Sequence, residues 1–152
     1  MSVMWKYLDK RSATIAAIKD RASMKFIVDH TDEDITVERD RMTSLGSPNL
    51  DGLPHAHNPQ ANEERILSSI EEIDILKERY RQAVEYQEWF EPAWAQLSED
   101  EQYVLETFYD ENTYGSNAAW YIAEHFQIEQ ASAYRKKNRA LDHLTVLLFG
   151  KF

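Results

Sequence analysis

Residues 97–150, which read LSEDEQYVLETFYDENTYGSNAAWYIAEHFQIEQASAYRKKNRALDHLTVLLFG, decide the fold of this chain. The stretch predicts three helices. Ser98 followed three residues later by Glu101 is a capping box, which opens the first helix. The apolar stripe of this helix comprises Val104, Leu105 and Phe108. Turn-forming residues follow from Asp110 to Gly115, and Ser116 is then free to cap a second, shorter helix.

The turn between the second and third helices is about as short as a helix-turn-helix requires. Ala123 is a small residue near the expected crossing, which lets the two helices approach closely. The third helix is predicted to begin at Glu129 and to end at Gly150. The residues expected to face inward are Ala119, Ile122, Ala123 and Phe126 in the second helix and Ala133, Ala140, Leu141, Leu144 and Leu148 in the third. In helix-turn-helix proteins the equivalent third helix reads the major groove of DNA.

This stretch also resembles known transcription proteins. The motifs Ile122-Ala123-Glu124, Phe126, Ile128, Arg139-Ala140-Leu141 and Leu144 look like region 4 of the major bacterial sigma factors. The run from Ser132 to Lys137, followed by Ala140-Leu141 and Leu148-Phe149-Gly150, more closely resembles phage-encoded late transcriptional regulators of the ArpU and RinA type. The resemblance implies an activator that binds DNA and contacts host RNA polymerase. Two positions depart from the pattern: Glu129 replaces the usual serine or threonine cap, and Lys137 replaces an apolar residue.

Length and composition limit the other possibilities. The chain has 152 residues, enough for one ordinary domain or two small ones, and no cysteine, so disulfides and thiolate metal sites are excluded. No apolar run is long enough for a signal peptide or a membrane span. We therefore expect a cytoplasmic protein, in a bacterial host cell, with no membrane partner.

The charge of the chain is unevenly distributed. A formal net charge of −10 argues at first against DNA binding, because basic side chains supply most of the affinity for phosphates. From Phe126 onward, however, five basic residues stand against two acidic ones, a net charge of +3 that leaves −13 on the rest. We expect weak DNA binding by an isolated monomer, and strong binding only by a dimer or by a chain tethered to another DNA-bound protein.

The N-terminal segment is predicted to be helical from Val3 to about His30. Its apolar residues recur at helical spacings at Leu8, Ile15, Ile18, Ala22 and Phe26. Thr31 precedes three acidic residues and resembles a new N-cap. Either the first helix pauses there or a second short helix starts.

Residues 46–60, GSPNLDGLPHAHNPQ, are predicted to form a loop because they hold three of the four prolines and two of the four glycines. His55 and His57 lie inside this loop. A metal site needs at least three converging ligands, and the sequence offers no obvious third. No metal site is expected.

The longest clean helix is predicted from Asn62 to Phe90. Its stripe alternates by four and three residues along Ile66, Ile70, Ile73, Lys77, Tyr80, Val84 and Gln87. We expect this helix to pack against the N-terminal helix as an antiparallel, coiled-coil-like hairpin, with a homodimer through the same face as the alternative.

An aromatic cluster surrounds Pro92, where the helix is predicted to end or kink. Its members are Tyr86, Trp89, Phe90, Trp94 and the neighbouring Leu97. They are either the core of a hinge between the hairpin and the C-terminal domain or a surface for a protein partner.

Sequence motifs of catalysis are missing. No glycine-rich phosphate loop, nucleophile elbow or zinc-protease motif occurs, and the carboxylates are scattered along amphipathic helices. We expect no enzyme activity and no cofactor. His125 and His143 are expected to be structural or to face phosphate.

The exposed N-terminal half of the third helix is the candidate DNA-reading surface. Arg135 suits a bidentate contact to guanine, and Gln130 or Asn138 suits adenine. Phosphate contacts are expected from Lys136, Arg139 and, at the start of the second helix, Ser116 and Asn117. The complete candidate site is Ser116, Asn117, Gln130, Ala131, Ser132, Tyr134, Arg135, Lys136, Asn138 and Arg139.

The sequence therefore predicts an all-α protein with a helical hairpin over residues 1–94 and a three-helix helix-turn-helix domain over residues 95–152. The expected function is sequence-specific transcriptional regulation, similar to that of phage late-gene activators. Its expected partners are double-stranded DNA, host RNA polymerase and a second copy bound through the N-terminal helices. The alternative is an oligomeric interaction or packaging protein resembling a small terminase, with no site-specific role in transcription.

Overall fold

The computed structural model describes residues 7–45, 59–110 and 114–150 of the chain. Every regular element in these residues is a helix, which confirms the prediction of an all-α protein. The helices are α1 (Lys10–Leu45), α2 (Pro59–Ala95), α3 (Glu99–Tyr109), α4 (Ala118–Phe126) and α5 (Gln130–Phe149), with a 3₁₀ turn at Gly115–Asn117. Residues 46–58 of the predicted loop, with both of its histidines, lie outside the described residues, and the remaining two belong to α2.

Helix α1 starts later and runs further than the sequence predicts. Asp9 caps it, because one carboxylate oxygen accepts a hydrogen bond from the backbone N–H of Ser12 (3.1 Å) and the other from the Ser12 hydroxyl (2.8 Å). The prediction of a new N-cap at Thr31 is wrong. Thr31 is buried in the middle of the helix, where its hydroxyl donates to the carbonyl of Ile27, so the helix continues without a pause.

Helix α2 extends beyond both predicted ends and holds Pro92 in its interior. Of the two predicted alternatives at that proline, an end or a kink, the end is therefore wrong. Its buried face is also rotated by one residue from the predicted stripe. The buried residues with four-three spacing are Ser69, Ile73, Leu76, Ala83 and Phe90, whereas Ile70 is 43% exposed. Ile73 is the one residue that belongs both to the predicted stripe and to these buried residues.

The chain forms two compact units, one from Met24 to Glu85 and the other from the residues up to Ser23 together with those from Tyr86 onward. In the first of these, residues 31–39 of α1 share a groove with Lys77 and Tyr80 of α2. Residues 38–44 share another groove with residues 61–72. The domain boundary at residues 94 and 95 stays a prediction.

The other unit has a core to which four helices contribute. Its buried members are Ala17 and Ile18 from α1, Phe90, Ala93 and Trp94 from α2, Leu97 and Leu105 around and within α3, and Ala140, Leu141, Leu144 and Leu148 from α5. A second cluster joins the three C-terminal helices through Val104, Ile122, Ala123 and Ala133. Together the two clusters fix one side of α5 along most of its length.

The aromatic cluster around Pro92 is mostly part of this core. Phe90 and Trp94 are buried with ring centroids 5.7 Å apart, and Tyr86 stacks on Phe90 at 5.1 Å while its hydroxyl donates to the carbonyl of Ala17. Trp89 stays exposed, and its indole N–H lies 3.4 Å from the carbonyl oxygen of Leu148. None of the described helices is both long and apolar enough to cross a bilayer.

Candidate nucleic-acid interface

The predicted capping box of α3 is confirmed. The backbone N–H of Glu101 donates to the Ser98 hydroxyl (3.2 Å), and the backbone N–H of Ser98 donates to Oε1 of Glu101 (3.1 Å). The second carboxylate oxygen, Oε2, lies 2.7 Å from Nδ1 of His143 on α5. One side chain therefore caps α3 and ties it to the helix that carries the candidate site.

The turn between α4 and α5 consists of residues 127–129. Gln127 takes the left-handed backbone conformation with φ 53°, and the N–H of Ile128 donates to the carbonyl of Ala123 (3.0 Å). Glu129, where the third helix is predicted to begin, is the residue just before α5, and its side chain makes no capping hydrogen bond. Its negative charge still lies beside the positive end of the helix dipole.

The start of α4 differs from the prediction. Ser116 does not cap the helix, because it lies in the 3₁₀ turn and the residue before α4 is Asn117, whose side chain makes no capping bond either. Gly115 has a positive φ, 52°. Both Ser116 and Asn117 are exposed.

The predicted inward faces of α4 and α5 are confirmed. All the named positions are buried except Phe126, which is half-buried. Ala133 has no exposed surface and packs in one cluster with Ile122 and Ala123, which is the close helix approach that small residues permit. The sequence prediction missed Thr145, which is fully buried with its hydroxyl 3.0 Å from that of Thr14.

Opposite this buried face, α5 presents the basic and amide side chains of the candidate site. Arg135, Asn138 and Arg139 are exposed, and so are Gln130 and Ala131. Tyr134 is 47% exposed and packs edge-on against Phe108 at 5.4 Å, whereas Ser132 is half-buried. Within the described part of the chain, neither arginine forms an ion pair.

The neighbouring charges modify this surface. Asp142 pairs with Arg11 (Oδ1 to Nη2, 3.2 Å), which offsets its negative charge. Lys136 and Arg139, however, line a cavity together with Asp100 and Glu101. These carboxylates would repel a phosphate at the edge of α5 that faces α3.

The two lysines of α5 are packed against aromatic rings. Nζ of Lys136 lies 4.5 Å from the ring centroid of Phe126, and Nζ of Lys137 lies 5.2 Å from that of Phe108. Burial, with repulsion from Arg11, lowers the pKa of Lys137. An ammonium group over a ring is compatible with the half-buried position of Lys137.

Two exposed residues of α4 were missing from the candidate site. Trp120 and Tyr121 lie on the outward side of this helix, away from Ala119, Ile122 and Ala123. The helical period of the inward residues could have identified them, because positions 120 and 121 fall on the opposite face.

Two of the histidines that the structure describes contact neighbouring side chains. His125 stacks on Tyr103 with ring centroids 4.2 Å apart, and His143 contacts Glu101 as described. Among the residues that the structure describes, no three histidine, aspartate or glutamate side chains are grouped so that they could hold a metal ion.

Comparison with family models, with curated proteins and with solved structures finds no match to this chain.

Proposed function

We propose that this protein is a sequence-specific DNA-binding transcriptional regulator in which α3, α4 and α5 form a helix-turn-helix domain and α5 enters the major groove. The observation that carries the proposal is the division of α5 into two faces. Ala133 is buried in the cluster that α5 forms with α3 and α4, and Ala140 and Leu144 are buried in the core that includes α1 and α2. Arg135 and Asn138 remain exposed on the other side. The three-residue turn before α5 is consistent with this motif.

The exposed side chains supply the chemistry that reading a duplex requires. The guanidinium group of Arg135 can donate two parallel hydrogen bonds to O6 and N7 of guanine, and the amide of Asn138 or Gln130 can bond N6 and N7 of adenine. The exposed Arg139 suits a phosphate, although the neighbouring Asp100 and Glu101 weaken that contact. The hydroxyl and backbone groups of Ser116 also suit a phosphate. Lys136 contributes less, because its amine already packs against a ring.

The long helices α1 and α2 would supply the additional binding contacts that this small basic surface lacks. The order of the two grooves along α1 and α2, with later residues of one helix beside earlier residues of the other, supports an antiparallel hairpin. Residues 24–85 carry seven basic and fourteen acidic side chains, a net charge of −7. Such a unit would not bind DNA itself, so we assign it to homodimerisation or to contact with RNA polymerase.

The proposal is tested by measuring the affinity for duplexes selected from fragments of the source genome, at two salt concentrations. Arg135→Ala should weaken binding to the selected duplex by about 1–3 kcal/mol and reduce the preference over unrelated duplexes. Arg139→Ala should weaken binding to all duplexes alike and reduce the salt slope by about one. Arg79→Ala, which removes an exposed arginine of the acidic unit, is the matched control and should change neither quantity. Small, equal effects of Arg135→Ala and Arg139→Ala on every duplex would contradict a base-reading role.

A second candidate function is that of an oligomeric interaction or packaging protein. It is favoured by aliphatic side chains on the outer face of α2, where Leu67 is 59% exposed and Ile70 is also exposed. The mass in solution separates the two functions. A ring-sized oligomer without preference for any duplex would favour packaging, whereas a monomer or dimer with one preferred fragment favours transcription.

A further inference from the structure

Arg21 shows how this protein holds an arginine between a carboxylate and an aromatic ring. Its Nε donates to Oε1 of Glu91 (2.9 Å), its Nη2 donates to Oε2 of the same side chain (3.2 Å), and its Cζ lies 4.7 Å from the ring centroid of Trp94. Glu91 and Trp94 are three residues apart on α2, so one helical turn presents both groups. A planar guanidinium group suits this pair because it can bond a carboxylate through two donors while it stacks on an aromatic face.

Helix α4 presents the same two kinds of side chain to solvent. Trp120 and Glu124 are four residues apart, so they are neighbours on one face of the helix, and Tyr121 lies three residues before the carboxylate. Trp120 is 49% exposed, Tyr121 is 42% exposed and Glu124 is also exposed. Among the residues that the structure describes, Glu124 forms no ion pair and no cation lies over either ring. The carboxylate and the rings are therefore accessible to another molecule.

The aromatic side chains of this surface support one another. The rings of Trp120 and Tyr121 pack edge-on with centroids 5.1 Å apart, and Tyr114 packs edge-on against Tyr121 at 5.0 Å. Side chains that are already held in place lose little conformational freedom when a partner binds. Tryptophan and tyrosine are also the residues that, with arginine, contribute most to binding in protein interfaces. We call Tyr114, Trp120, Tyr121 and Glu124 the α4 patch.

The charge of Glu124 determines which partner suits the α4 patch. A carboxylate at this position repels a phosphate group, which argues against a DNA backbone, and it attracts a guanidinium group. The chain as a whole carries a net charge of −10, so a second copy is repelled over the whole surface, whereas a basic protein is attracted. The occupant that fits both the rings and the charge is an arginine of a basic protein.

We infer that the α4 patch binds an arginine side chain from a basic segment of a partner protein. The guanidinium group pairs with the carboxylate of Glu124 and stacks on the ring of Trp120, in the way that Arg21 pairs with Glu91 and covers Trp94. This site is separate from the bases and phosphates assigned to α5. The inference goes beyond the proposed function and does not depend on it.

The test is a nuclear magnetic resonance titration of the isotope-labelled full chain with the heptapeptide KLGRGLK. Saturable shifts are expected in the amide resonances of α4 and in the indole N–H of Trp120. Glu124→Gln and Trp120→Ala should each weaken binding by about 2- to 5-fold, as expected for the loss of an exposed ion pair and of an exposed cation–ring contact. The same peptide with citrulline, which is uncharged, in place of arginine should bind about as weakly to the wild-type protein as the arginine peptide binds to Glu124→Gln. Glu88→Gln, which changes an exposed glutamate beside the exposed Trp89, is the matched control and should leave the affinity unchanged.

Three results would overturn the inference. The first is an arginine peptide that shifts resonances along the acidic helices and binds Glu124→Gln as well as it binds the wild type, which would show only general attraction between opposite charges. The second is a wild-type dimer that Glu124→Gln converts to a monomer, which would assign the α4 patch to a second copy. The third is a lower affinity of Glu124→Gln for the selected duplex, which would assign the patch to DNA. Because Glu124→Gln preserves the shape of the side chain, loss of folding would not account for its effects.

Failure of this inference is distinguishable from failure of the proposed function. Binding of the selected duplex depends on Arg135 and is measured without any peptide. A protein that prefers one duplex but binds the arginine and citrulline peptides equally would retain the proposed function and lose the α4 site. A protein that binds the arginine peptide through Glu124 but prefers no duplex would retain the α4 site and lose the proposed function.

Discussion

Replacing Ala133 with leucine should destabilise the unit that contains the candidate site. The side chain has 0% exposed surface and lies among Val104, Ile122 and Ala123, where α5 crosses its neighbours. Leucine adds three carbon atoms to this filled space, and overpacking of that kind costs about 1–3 kcal/mol. For a chain of this size the loss corresponds to roughly 2–12 °C in melting temperature. Because the added atoms push α5 away from α4, affinity for the selected duplex should fall as well.

Urea unfolding followed by tryptophan fluorescence measures this effect selectively. The tryptophans that the structure describes, at positions 89, 94 and 120, belong to the unit that contains α3, α4 and α5. Ala131→Leu is the matched control, since it makes the same change two residues earlier on the exposed side of α5 and should shift the midpoint little. Equal midpoints for the two variants would refute the close crossing of α4 and α5.

Glu101→Gln should reduce stability near neutral pH and have less effect in acid. Partial burial raises the pKa of Glu101, but hydrogen bonds from His143 and Ser98 outweigh it and hold that pKa below its usual value. The stabilisation is therefore complete above the unfolded pKa, about 4.3, and is lost as pH falls through the lower folded value, which urea titrations across this range can follow. Leu76→Ala should lower the free energy of unfolding, followed by circular dichroism, by about 2–5 kcal/mol, because Leu76 is buried. Ile75→Ala, at an exposed neighbouring position, should lower it by at most about 0.5 kcal/mol. Equal losses for the two variants would contradict the assignment of the buried side of α2.

The C-terminal helices could be predicted closely because their signals agree with one another. Ser98 and Glu101 fix one end of the segment, and Gly150, with φ 83°, fixes the other. Between them the apolar residues keep a single helical phase, so the buried face follows from spacing alone. The exposed position of Arg135 follows from the same phase.

The buried side of α2 could not be predicted from the spacing of its apolar residues. Aliphatic residues lie on several sides of this helix, including Leu67, Ile70 and Ile75, all of which are exposed. Spacing alone therefore allowed two stripes one residue apart. The structure buries Ile73 and Leu76 and leaves Ile70 exposed, a choice that the spacing does not make.

Local sequence signals gave a wrong prediction where a side chain forms its hydrogen bond within the helix. Thr31 has the composition of an N-cap, but its hydroxyl is satisfied by the carbonyl of Ile27 in the preceding turn. Within the candidate site, the predicted phosphate contact of Lys136 requires that its amine is not already packed against another group. The ring of Phe126 beneath its amine comes from α4, a contact that no local pattern reveals.

The shared core of α1, α2 and α5 limits how the chain can be divided for experiments. A fragment that starts at residue 95 would retain the whole candidate DNA surface but lose Phe90 and Trp94, which cover Leu141 and Leu144. Those leucines would then face water, and the fragment should aggregate or bind DNA poorly for reasons unrelated to recognition. Truncations intended to isolate the DNA-reading helices should therefore keep the last turns of α2 and supply the first turns of α1, either in the same polypeptide or as an added peptide.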